Sequence, residues 1–108
     1  MRIPDDAIIA PEKIRDYLLV HQDRSDKSEF LAVAGFTRSN WRELEAAIRA
    51  LAASQDARRS ASTSYGNKWI VDGIITGPNG RTRPVRLVWL QEQNGSFRFV
   101  TLVPKLKR

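Results

Sequence analysis

The chain has no cysteine and one histidine, His21, among its 108 residues. The first absence excludes a disulfide framework, thiolate zinc sites and a cysteine nucleophile. The second excludes a multi-histidine metal centre and confines imidazole chemistry to one position. No apolar run reaches the length of a membrane span, and Met1-Arg2-Ile3-Pro4-Asp5-Asp6 carries no apolar signal core, so a cytoplasmic location is expected. Beyond residue 57 the only carboxylates are Asp72 and Glu92. A two-metal nuclease needs clustered carboxylates, so neither a metal site nor another cofactor is expected. Internal repeats and low-complexity segments are also missing.

What is abundant is positive charge, and it lies on one side of the sequence. Residues 58–108 hold ten Lys and Arg, a net of +8, whereas residues 1–57 hold eight basic and ten acidic residues, a net of −2. The whole chain carries +6. Such a field favours a polyanionic partner, nucleic acid being the commonest; acidic proteins meet basic surfaces as well. No membrane partner is expected.

The length suits one domain, which we divide into a helical half (1–56), an antiparallel sheet (57–104) and a basic tail (105–108). Pro11 fits the first turn of a helix, and Ile14, Tyr17 and Leu18 extend it as an amphipathic helix over 11–19. After a polar loop, Asp26 and Glu29 form a capping-box pattern before Phe30, Leu31 and Ala34, with Gly35 as the stop. Ser39 is placed to cap a third helix, whose Trp41, Leu44, Ile48 and Leu51 share a stripe. Beyond residue 56 the period changes to two. Residues 58–64 read as an edge strand, open to pairing with a second copy or another protein. Lys68–Thr76, Arg83–Gln91 and Ser96–Val103 follow, separated by Gly77-Pro78-Asn79-Gly80 and Glu92-Gln93-Asn94-Gly95. The expected fold is α+β: about three helices, then a four-stranded antiparallel meander.

If both turns close as four-residue loops, Arg86 faces Thr101, and Trp89 lies between Lys68 and Arg98. The cations beside Trp89 either cover the indole as packing or hold phosphates while a base stacks on it. An arginine within an apolar strand needs a carboxylate or an anionic ligand. Arg86 therefore either meets a carboxylate such as Glu29 or Glu45, or stabilises charge on a phosphate. Arg81 and Arg83 add to the same basic stretch. His21 in its loop, Lys27 and Tyr65 are the candidate proton carriers, each with a plain structural alternative: solvent exposure, a surface ion pair and a turn anchor.

Several stretches resemble a small bacterial domain family without an assigned activity. They are Ile3-Pro4, Lys13 with Tyr17-Leu18-Leu19, Lys27 with Phe30-Leu31, Gly35-Phe36-Thr37 and Trp41. They continue through Tyr65-Gly66-Asn67-Lys68, Val71-Asp72-Gly73, Gly77-Pro78-Asn79-Gly80-Arg81, Val85-Arg86 with Val88-Trp89, and Arg98 with Val100-Thr101 and Pro104. More distantly, the architecture is similar to the RelE/barnase/EndoU-type ribonuclease superfamily, whose members act as toxins paired with neutralising proteins. That resemblance implies metal-independent RNA cleavage on the sheet face, with Arg86, Thr101, Lys27 and Lys68 as the residues carried over. The 2′-OH would attack the adjacent phosphate, so RNA and not DNA would be the substrate. Three roles are thus expected: a toxin-type endoribonuclease held by an acidic antitoxin or immunity protein, a non-catalytic nucleic-acid-binding module, or a basic protein-interaction domain of antitoxin or inhibitor type.

Overall fold

Pro11 opens α1 (Pro11–Lys13), and the chain runs straight on into a π-helical turn over Ile14–Leu18. This is the first departure from the regular helix expected over 11–19. The Leu19 N–H donates to the Ile14 carbonyl at 3.1 Å, five residues back. The wide turn sends Ile14 and Leu18 fully into the core and leaves Tyr17 partly exposed instead of on the apolar stripe. The computed structural model describes residues 1–21 and 27–105, so the expected Asp26 cap lies outside the described residues. α2 (Ser28–Ala32) begins directly after Lys27. It ends as expected at Gly35, where the Phe36 N–H reaches the Leu31 carbonyl at 3.2 Å.

A short 3₁₀ turn (Arg38–Asn40) leads into α3 (Trp41–Ser54). The cap here is Thr37 and not Ser39: the Thr37 N–H donates to Asn40 Oδ1 at 2.7 Å, and the Ser39 hydroxyl bonds to that of Thr37 at 3.0 Å. Leu44, Ile48 and Leu51 of the expected stripe are buried, and Trp41 packs partly buried at its start. Among the described residues no helix is long and apolar enough to cross a membrane.

The second half forms the expected meander, β1 (Arg58–Thr63), β2 (Gly66–Thr76), β3 (Thr82–Gln91) and β4 (Phe97–Pro104), in the order β1-β2-β3-β4. All β1 residues are exposed, and a bulge interrupts its pairing between Arg59 and Ala61. Bulge and arginines blunt this edge against further strand addition. One sheet face, presenting Val71, Ile75, Val85, Leu87, Trp89, Phe99 and Leu102, joins Ile14, Leu18, Leu31, Phe36, Leu44 and Ile48 in one core.

The registers differ from those expected by one residue, and both turns show why. The Gly77 N–H donates to the Arg81 carbonyl at 2.8 Å, and the Glu92 N–H to the Ser96 carbonyl at 2.8 Å. Each loop therefore contains three residues, with a left-handed glycine last: Gly80 at φ 85° and Gly95 at φ 92°. Because side chains alternate, a one-residue shift exchanges the faces. Trp89 consequently pairs with Trp69, and Asp72 with Arg86. A further shift in β4 leaves Val100 as the extra residue of a bulge, so Thr101 stands opposite Val88 and not Arg86.

The outer edge of β4 is partly covered by a segment given no role from sequence. Ile8 bridges parallel to Arg98: its N–H donates to the Phe97 carbonyl at 2.9 Å, and its carbonyl accepts from the Phe99 N–H at 2.8 Å. This brings α1 alongside the β4 bulge.

Candidate active site

Where α1, the start of α2 and the β4 bulge meet, they enclose a cleft of about 540 Å³. Its walls include Glu12, Lys13, Tyr17, Lys27, Val100 and Thr101. Lys27 Nζ donates to Thr101 Oγ1 at 2.9 Å and lies 5.3 Å from the centre of the Tyr17 ring. The ring's negative face is a favourable seat for the ammonium, and the hydroxyl fixes its direction. The cleft thus gathers two ammonium groups, a hydroxyl, a phenol and one carboxylate. That set can hold an anionic oxygen and exchange a proton beside it. Among the described residues, no three His, Cys, Asp or Glu side chains converge as metal ligands.

Of the candidates taken from sequence, only Lys27 and Thr101 come together here. Arg86 is elsewhere, paired across the strands with Asp72. Its Nε donates to Asp72 Oδ1 at 2.8 Å and its Nη2 to Oδ2 at 3.1 Å. The Arg86 hydrogen bond holds the Asp72 carboxyl below its ordinary range despite partial burial, and Asp72 in turn raises Arg86. Asp72 also meets Arg58 at 3.4 Å and Lys105 at 3.9 Å. The expected ion pair to Glu29 or Glu45 is replaced by this cross-strand one.

Trp89 is no stacking platform: it is 1% exposed and packs edge-on against Phe99 at 5.4 Å. The residue between Lys68 and Arg98 is Leu90. Arg98 is held by Glu92 at 2.7 Å. The Arg83 guanidinium lies 4.0 Å from the centre of the Phe30 ring, so it packs against α2. Arg81 is exposed in the β2–β3 loop. Tyr65 is 78% exposed in the β1–β2 turn, at the sheet edge opposite β4. His21 is exposed and does not line the cleft. Lys105 is no loose tail, since its N–H donates to the Pro84 carbonyl at 2.9 Å; Lys107 and Arg108 lie outside the described residues. By register Arg58, Lys68, Arg86 and Arg98 share the outer face of the sheet, with Arg86 and Arg98 paired to Asp72 and Glu92, whereas Arg83 packs against α2 and Arg81 lies in a loop.

Glu12, Lys13 and Tyr17 were not identified as site residues from sequence. The signal was the cluster of ionisable groups at the first turn after Pro11, but only the Ile8 bridge shows that it faces β4.

A family model described as a domain of unknown function, DUF6883, matches residues 3–106. The chain belongs to that family. No curated protein matches it in sequence. Its fold is similar to that of a chain in the contact-dependent growth inhibition toxin–immunity protein complex from Klebsiella pneumoniae 342, with a TM-score of 0.67 and 18% identity. The match covers 92% of this chain and 100% of that one. At this identity the likeness shows a shared α+β architecture.

Proposed function

We propose that this protein is a toxin-type endoribonuclease that cleaves RNA by attack of the 2′-OH on the adjacent phosphate, in the cytoplasm, and is restrained by an antitoxin or immunity protein. The observation that carries the reading is the Lys27–Thr101 contact, set in a cleft with Glu12 and Tyr17. In-line attack builds charge on the non-bridging phosphate oxygens. The Lys27 ammonium and Thr101 hydroxyl stabilise that charge, being already oriented before substrate arrives. Glu12 accepts the 2′-OH proton, and the Tyr17 phenol or Lys13 returns one to the departing 5′ oxygen. No step calls on a metal, in keeping with the donor set of the cleft. The likeness to a chain of a toxin–immunity complex supports a protein partner, and the chain's +6 charge suits an acidic one.

The test uses purified protein on a short RNA and on its all-2′-deoxy counterpart. We expect RNA cleavage with 2′,3′-cyclic phosphate ends, unaffected by chelator, and no cleavage of the deoxy strand. Lys27→Ala and Thr101→Val should each lower kcat about 10²-fold. Intact RNA with folded wild-type protein would overturn the nuclease reading. RNA bound without cleavage would then mark a binding module, and an acidic protein bound without RNA an interaction domain.

A further inference from the structure

One cluster on the solvent face of the sheet has no part in the cleft. Arg58 on β1, Arg86 on β3 and Lys105 just after β4 all contact the single carboxylate of Asp72 on β2. Three cations on one anion leave a surplus of two positive charges in a row crossing all four strands. The heads face water: the side chains of Arg58 and Lys105 are 60% and 47% exposed. Asp72 occupies the Arg86 fork in bidentate fashion, whereas Arg58 and Lys105 reach it only at 3.4 and 3.9 Å. The last two are therefore the groups able to turn to another anion.

The row adjoins the cleft. Thr101 pairs with Val88, and two positions along the same strands Val103 pairs with Arg86. Two residues of strand amount to about 7 Å, a short step along a nucleic-acid backbone. Paired residues share a face, so the row and the cleft's Thr101 border the same surface. Exposed Ile74 and Val103 lie beside the cations and offer apolar contact to bases or ribose.

We infer that Arg58 and Lys105, held beside the Asp72–Arg86 pair, form a phosphate subsite for the RNA strand that enters the Lys27–Thr101 cleft. The inference rests on the nuclease reading for the identity of the ligand. It makes the substrate a single strand several nucleotides long, lying across the sheet. Binding relies on exposed charge, so it is strongly salt-dependent.

The experiment measures affinity for 2′-O-methyl oligouridylates, which cannot be cleaved, of two and about eight nucleotides. The proteins are the wild type and the Arg58→Ala/Lys105→Ala double variant, which leaves Asp72–Arg86 intact. We expect weaker octamer binding in the double variant, with a log-affinity against log-salt slope shallower by about 1.4, and unchanged dinucleotide binding. Equal octamer binding by both proteins would overturn the subsite and leave this face to an acidic protein. Equal loss on both ligands would also overturn it, because the effect would not be confined to the longer strand. Cleavage of a 2′-hydroxyl octamer is scored in parallel. If the wild type binds the octamer through the subsite but does not cut, the nuclease reading fails and the subsite stands.

Discussion

Asp72 and Arg86 stand directly opposite each other on β2 and β3, joined by two hydrogen bonds of 2.8 and 3.1 Å. The pair accounts for an arginine in the midst of an apolar strand without assigning it chemistry. Arg86→Ala should lower the thermal midpoint modestly while Lys27-dependent cleavage of a dinucleotide persists. Arg86→Lys should restore only part of the stability, since an ammonium cannot reproduce the fork. Loss of dinucleotide cleavage in folded Arg86→Ala would return this residue to the reaction.

Gly77 and Gly80 sit in the same hairpin but are small for different reasons. A Cβ on Gly77 would run into the Ala34 carbonyl, where the Asn79 N–H also docks at 3.3 Å, whereas one on Gly80 meets nothing. Gly77→Ala should cost up to about 3 kcal/mol by forcing the hairpin away from α2. Gly80→Ala should cost about 1 kcal/mol, from its left-handed backbone alone. Urea midpoints at unchanged slope measure both, and a reversed order would show that the hairpin tip yields freely.

Acid should weaken the protein through Asp16. The hydrogen bonds from Arg15, at 2.9 and 3.1 Å, and from Arg38, at 2.7 Å, hold its carboxyl at about 2, below an ordinary 3.8. A depressed carboxyl adds stability that is complete above its ordinary value and lost as pH falls towards the lower one. Asp72 acts in the same direction through Arg86. Asp16→Asn should therefore flatten the fall in stability between about pH 4 and pH 2. An unchanged acid limb in chemical denaturation would remove Asp16 as its source.

Within the cleft, Glu12 and Tyr17 should separate by kinetics. Glu12→Gln should lower kcat by about 10²-fold or more with little change in KM, as loss of a general base does. Tyr17→Phe keeps the ring under the Lys27 ammonium and should retain more activity than Tyr17→Ala, which removes that seat. Equal losses in the two Tyr17 variants would assign the effect to the phenol instead.

Much of the architecture was legible in local pattern. The stripe from Trp41 to Leu51, the stop at Gly35 and the two Asn-Gly turns each act over a few residues, so helices, strands and meander followed from propensity and period. The candidate site was less legible. The resemblance to ribonucleases names Lys27 and Thr101 together, but the residues themselves give no contact between the two, and the expected register sets Thr101 opposite Arg86. Tyr17 read as part of a core stripe because a regular helix was assumed where a π-helical turn forms.

By itself, then, the sequence determined the α+β order, the apolar stripes and the excess of cations after residue 57, because those properties are local or additive. The tertiary structure alone decided which face each strand residue takes. One hydrogen bond from Gly77 to Arg81 and another from Glu92 to Ser96 shorten the loops by a residue, burying Trp89 and matching Arg86 to Asp72. It also decided the cleft, since the Val100 bulge and the Ile8 bridge bring together groups far apart in sequence, Lys27 and Thr101 among them at a separation of 74 residues. Contacts of that range depend on the closed geometry of the whole sheet, which no window of sequence contains.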